Sequence, residues 1–264
     1  MGEADLNNEL RILLTNDDGI DAPGLRILAV ELSKVAVVMV AAPDRERSAT
    51  GHAITMYQPL RARPTEVPGV GSAYAVSGTP ADCVKLAVDS LFSGQFDLVV
   101  SGINRGANLG TDVLYSGTVS AALEGVILGL PAVAFSLAEF ANPNFEACAK
   151  LAAGLVIDIW HRGWPFDTLL NINFPSITQP KGLRVTTLGQ QRYVNAVQER
   201  QDPWGGKYYW LAGELVASEN REPTDVWAVT EGYVSLTPVH FDLTDYRLLK
   251  TIEQWQLQLP SGGE

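Results

Sequence analysis

Apolar residues in this chain fall into short blocks, each closed by a polar loop that contains glycine or proline. Leu10 to Thr15 is a run of large aliphatics that stops at NDDGIDAPG, the pattern of a buried strand feeding a loop. Pro23 then opens a segment where Leu25, Leu28, Ala29 and Leu32 recur at helical spacing, with proline where a first turn tolerates it. Val35 to Ala42 is almost all valine and alanine, as a parallel strand covered on both faces requires, and it ends at Pro43 before the loop DRERSATGH.

The rhythm continues. Weaker alternation over Leu60 to Val67 and Ala73 to Ser77 predicts a small β excursion from the main sheet. A helix is predicted over Pro80 to Phe92, and a third strand over Phe96 to Val100, followed by the loop SGINRGANLGTDVLYSG. Val119, Ala122, Leu123 and Val126 mark the next helix, then Ala132 to Phe135 a strand, Phe145 to Trp160 a helix and Leu169 to Ile172 a fifth strand. This alternation predicts an α/β fold with a Rossmann-like, doubly wound, mostly parallel sheet. After Pro175 the texture turns to aromatic and β-branched alternation, as in Tyr208, Tyr209 and Trp210, which predicts C-terminal β-hairpin arms. The expected division is a Rossmann-like domain over 1–175 and a β-rich arm and oligomerisation region over 176–264.

Composition narrows the options. Hydrophobic residues are 46% of 264 and charged residues 19%, so the chain can build a large core. The net charge of −11 would repel a polyphosphate backbone, so a nucleic-acid polymer is not an expected partner. Cys83 and Cys148 lie in apolar helical stretches and match no zinc spacing; they read as buried free thiols. The first nine residues carry no basic and apolar leader pattern, and the longest apolar run is too short to span a bilayer, so the expected compartment is the cytoplasm and no membrane partner is expected.

In an open parallel sheet, ligands bind beyond the carboxyl ends of the strands, where the first three loops should converge. Loop one holds Asn16, Asp17 and Asp18; loop two holds Asp44, Arg45, Arg47 and Ser48; loop three holds Ser101, Asn104, Asn108 and Ser116 to Thr118. Adjacent carboxylates repel unless a cation or proton intervenes, and with the Ser48 hydroxyl and the Asn104 amide they form an oxygen set suited to magnesium or manganese. Asp-Asp-Gly is also ordinary turn chemistry. Tyr115-Ser116-Gly117-Thr118 precedes an apolar-periodic helix, where an anion such as phosphate is favoured; Ser116 can serve there as an N-cap as well. Motifs for a P-loop, a dinucleotide fold, a serine-hydrolase elbow and a zinc protease are all missing. Of three histidines, His161 reads as surface or capping, while His52 and His240 are open between structural and substrate-facing roles.

Taken together, ILLTNDDGIDAPGL, APDRERSATGHAIT, SGTPADCV, VSGINRGANLGTDVLYSGTVSAALEG and SLTPVHFDLTDY resemble the SurE family, the survival-protein nucleotidases. The resemblance implies a metal-dependent phosphomonoesterase acting on nucleoside 5′- and 3′-monophosphates and on short polyphosphate. It also implies a homodimer or homotetramer built through the carboxy-terminal arms. By motif it implies one divalent ion per subunit, Mg2+ or Mn2+, on Asp17, Asp18, Ser48 and Asn104, and phosphate held by Asn108, Ser116, Gly117 and Thr118. Ala49 and His52 depart from the glycine and small polar residues that many relatives carry there, which bears on nucleotide preference. The expected chemistry is in-line attack by a metal-activated water, with Asp17 or Asp18 as the catalytic base and Asp17 favoured. Two other readings stay open: an aspartyl-phosphate phosphatase, although Asn-Asp-Asp is not Asp-x-Asp, and a non-catalytic nucleotide sensor on the same fold.

Overall fold

The computed structural model describes residues 9–92, 96–177, 179–195, 197–211, 213–216 and 220–257. In chain order the elements are β1 (Arg11–Thr15), α1 (Pro23–Leu32), β2 (Val37–Pro43), β3 (Ala62–Thr65), β4 (Ser72–Val76), α2 (Pro80–Leu86), β5 (Leu98–Arg105), α3 (Gly117–Ile127), β6 (Ala132–Leu137), α4 (Phe145–Arg162) and β7 (Leu169–Phe174). Beyond these lie β8 (Leu183–Val185), β9 (Arg192–Val194), β10 (Val197–Gln201), β11 (Lys207–Leu211), β12 (Glu214–Val216), α5 (Asp225–Thr230), β13 (Val234–Val239) and α6 (Tyr246–Gln254).

Successive side chains of a strand point to opposite faces. Ile12 and Leu14 of β1 therefore pack under α1 and α4, while Leu13 packs under α2 and α3, and all three are fully buried. This two-sided burial is why the strand reads as an unbroken aliphatic run, and each such side chain contributes about 1.5–3 kcal/mol. The sheet runs β3-β4-β2-β1-β5-β6-β7-β13-β8, parallel from β4 to β7, with β3 and β13 antiparallel to their neighbours β4 and β7. The doubly wound fold read from the sequence is the fold observed.

Two local expectations need correction. The β excursion is no separate unit, because β4 pairs in parallel with β2 from Met39↔Ser72 to Pro43↔Val76 and β3 closes that edge. An edge hairpin faces solvent on part of its surface, which weakens its hydrophobic signal. The motif Ser101-Gly102-Ile103-Asn104, expected in a loop, is the end of β5. A register shift against β6 between Ser101 and Asn104 bends the strand there and re-aims Asn104.

Past residue 175, β8 and β13 join the main sheet, whereas β9 pairs with β12 and β10 with β11 in an arm whose apolar side chains include Trp204 at 90% exposure. Among the described residues no helix is long and apolar enough to cross a membrane.

Candidate active site

The strand order reverses at β1, which has β2 on one side and β5 on the other, and this switch point gathers the three loops. Loop one is locked by Asn16, whose Nδ2 donates to Gly19 O at 2.9 Å and whose Oδ1 accepts from Gly19 N at 3.2 Å. Ile20 N donates to Pro43 O at 2.8 Å and Arg47 N to Asp17 O at 2.8 Å, so loop two is fastened to loop one. Loop three is fastened from the other side, where Arg105 N donates to Asp18 Oδ2 at 3.3 Å.

Asp17 is buried at the start of α3. The Thr118 hydroxyl donates to its Oδ1, and its Oδ2 lies so near Gly117 that a Cβ there would sit 2.8 Å from it. Burial pushes the Asp17 carboxyl up from 3.8 to about 6, with the charge of Asp18 adding to the rise and the Thr118 hydrogen bond opposing it. Asp18 is also raised, first by burial and then by the charge of Glu46, against the lowering influence of Arg105. The two acids thus share a site short of positive charge.

The other expected residues are placed as follows. Asn104 donates its Nδ2 to Gly106 O at 2.9 Å, which leaves its carbonyl oxygen free of any donor among the described residues. Ser48 is exposed and gives its hydroxyl to Glu46 Oε1 at 2.8 Å, so its loop reaches the site while the hydroxyl bonds elsewhere. Ser116 caps α3 by accepting from Val119 N at 3.1 Å, the structural role allowed for it. Asn108 sits deeper, its Nδ2 on Ser136 Oγ at 2.8 Å and its N–H on Asn173 Oδ1 at 2.8 Å. Gly117 and Thr118 form the first turn of α3 beside Asp17. Among the described residues no three His, Cys, Asp or Glu side chains gather for a metal, so a cation here would draw on two carboxylates and neutral oxygens.

Sequence reasoning missed the supports. Asn171 and Asn173 of β7 both donate to Asn108 O, at 2.9 and 3.1 Å; two asparagines at i and i+2 in a buried strand were the available signal. Thr15 and Ser101, paired in the β1–β5 ladder below the site, each bury a hydroxyl with no partner among the described residues. Asp225 has its carboxyl raised by burial, and it accepts from Gly110 N and Gly189 N at 2.8 Å each, bracing loop three.

His240 follows β13, whose last residue Val239 pairs with Leu169 at the start of β7, so it lies at the end of the sheet away from the three loops. His52 instead pairs its Nε2 with the buried Glu124 Oε2 at 2.8 Å, tying the loop that carries Ser48 to α3. His52→Ala is expected to strip the buried Glu124 carboxylate of this partner and to lower stability by about 1–3 kcal/mol. A comparison of thermal melts measures this.

A family model described as Survival protein SurE matches residues 12–195, which span all three loops and stop at the root of the arm. The chain belongs to the SurE family. Proteins named 5′-nucleotidase SurE from Pelotomaculum thermopropionicum and Carboxydothermus hydrogenoformans are 53% and 50% identical to it, over 93% of this chain in both cases and 95% and 96% of theirs. The crystal structure of the SurE protein from Aquifex aeolicus matches with a TM-score of 0.82 at 44% identity, covering 93% of this chain and 99% of that one. The SurE likeness therefore extends past the family model into the C-terminal strands.

Proposed function

We propose that the chain is a divalent-metal-dependent 5′-nucleotidase, a phosphomonoesterase that hydrolyses nucleoside 5′- and 3′-monophosphates to nucleoside and phosphate and also trims short polyphosphate. The observation that carries this reading is the pair Asp17 and Asp18, half or fully buried at the strand switch point against the first turn of α3. A pure anion binder gains nothing from two carboxylates at its ligand. The nucleotidase class is further supported by family membership at about half identity over nearly the whole chain.

The donor set fits a hard cation: two acids raised first by burial, then by like charge from Asp18 on Asp17 and from Glu46 on Asp18, with the Asn104 carbonyl oxygen open in the same loop cluster. Asp17, Asp18, Ser48 and Asn104 would hold one Mg2+ or Mn2+, Ser48 after exchanging its bond to Glu46. A cation bound there supplies neutralisation of the phosphoryl oxygens and acidifies water at the site. The chain does the rest. Asn108 and the first turn of α3, Ser116 to Thr118, bind the phosphoryl group where the helix dipole favours an anion. Asp17, oriented by Thr118, takes the proton of the attacking water at Oδ2. A cavity of about 500 Å3 lined by Arg45, Arg47 and Arg61 flanks loop two and suits a longer phosphate chain.

Residues 1–175 carry this chemistry in our reading, and 176–264 assembly as a homodimer or homotetramer; the exposed Trp204, Trp210 and Leu211 of the arm support that. The free thiols Cys83 and Cys148 suit the cytoplasm.

The test is phosphate release from a panel of nucleoside monophosphates. Release is expected to stop on chelation and to return with magnesium or manganese. Metal-dependent nucleotide binding with no release would make the chain a sensor, and a trapped phosphoryl group on Asp17 or Asp18 would replace the water route by an aspartyl-phosphate.

A further inference from the structure

We propose that Phe140 is the platform on which the base of the nucleoside monophosphate stacks, an assignment that rests on the phosphomonoesterase reading above. The sheet order sets the stage. Along the rim formed by the ends of β2, β1, β5 and β6 come, in turn, the loop of Ser48, the pair Asp17 and Asp18, Asn104, and the segment after β6 that carries Phe140. Neighbouring strands lie about 4.8 Å apart, so Phe140 stands one strand beyond the phosphate centre.

The ring is 70% exposed and touches loop three at Gly106. Its tip rests over Gly106, where a Cβ would come within 2.2 Å of the ring Cζ and where a φ of 106° favours glycine. The carbonyl of that same Gly106 accepts from Asn104 Nδ2 at 2.9 Å, which connects the ring to an expected metal ligand through a single residue. The segment is braced on both sides. Gly106 N donates to Leu137 O at 2.8 Å and Ala138 N to Phe174 O at 2.9 Å, while Glu139 accepts from Ala141 N at 2.7 Å and from the Ser176 hydroxyl.

An exposed aromatic face on a braced turn beside the reaction centre matches a flat, uncharged π-system. The opposite flank, with Arg45, Arg47 and Arg61, matches an anion instead. A nucleoside monophosphate with its phosphate at the centre thus finds a partner for its base on the Phe140 side. Stacking does not depend on which base is present, because every base has a π-face, so Phe140 would favour nucleotides over other phosphate esters without choosing strongly among them.

The experiment compares kcat/KM for adenosine 5′-monophosphate with kcat/KM for ribose 5-phosphate, which lacks the base, in the full-length protein with saturating metal. Phe140→Ala is expected to lower the ratio of the two by about tenfold, mainly through KM for the nucleotide, and Phe140→Trp to keep it. Equal losses on both substrates would make Phe140 a support for loop three and overturn the assignment. An unchanged ratio, or a tenfold fall produced by Tyr115→Ala in place of Phe140→Ala, would overturn it as well. A wild-type protein that releases phosphate from neither substrate would instead bring down the phosphomonoesterase reading itself, and the stacking role with it.

Discussion

Replacing Asp17 with asparagine is expected to lower phosphate release by about 10²- to 10⁴-fold, the range for loss of a general base, while making the metal-free protein more stable at pH 7. The stability gain follows from the burial of this carboxyl. Its pKa rises from 3.8 to about 6, so the fold prefers the protonated acid. The stabilisation is complete below pH 3.8 and is lost as pH climbs through 6, leaving an ionised, buried group at neutrality. A shift of roughly 2 units corresponds to about 3 kcal/mol. Asparagine keeps the shape and can still accept from the Thr118 hydroxyl without ionising. Thermal melts of metal-free protein should therefore show the wild type losing stability between pH 4 and 6 more steeply than Asp17→Asn. Added magnesium should raise the wild-type melting temperature at pH 7, by binding the ionised pair, and should do little for the variant. A variant that is less stable than wild type at pH 7, or fully active, would contradict this account of Asp17.

Gly117→Ala is expected to reduce turnover by about 100-fold in a protein that still folds. The added Cβ would lie 2.7 Å from Asp17 Cβ and 2.8 Å from Oδ2, closer than atoms approach in folded proteins. Asp17 is walled in by Thr118 and cannot yield without leaving its position, and a displacement near 1 Å at a reacting group costs on the order of 10² in rate. Overpacking adds a stability cost of about 1–3 kcal/mol. Gly154→Ala is the control: it lies in α4 with nothing within 4 Å of the new methyl and should leave the rate alone. Equal kcat in Gly117→Ala and wild type would show that the close approach of α3 to Asp17 has no part in the reaction.

The central strands and the three loops were legible because their signals are local. Ile12 to Leu14 and Val38 to Ala42 declare two-sided burial by being apolar throughout, and Asp17 and Asp18 stand together in the sequence. The end of β5 was not legible, since Ser101 to Asn104 looks polar and glycine-bearing, and only pairing with β6 makes it a strand. The grip of Asn171 and Asn173 on Asn108 spans more than sixty positions and that of Asp225 on Gly110 spans 115, distances at which no periodicity survives. The placement of Phe140 is illegible for a similar reason. Its neighbours in sequence say loop, and its contact with Gly106 exists only once β5 and β6 lie side by side.

The root and the tip of the arm differ in how they join the body. At the root, Tyr193 OH donates to Asp112 Oδ2 at 2.5 Å and Thr111 Oγ1 donates to Gln191 O at 3.0 Å, both within the turn that runs into Ser116. The paired strands β10 and β11 at the tip show no hydrogen bond of that kind among the described residues. An engineer grafting a different arm, or a binding peptide, onto this scaffold has a natural splice point at the tip, while a cut nearer the body than Val194 disturbs the turn that leads into α3.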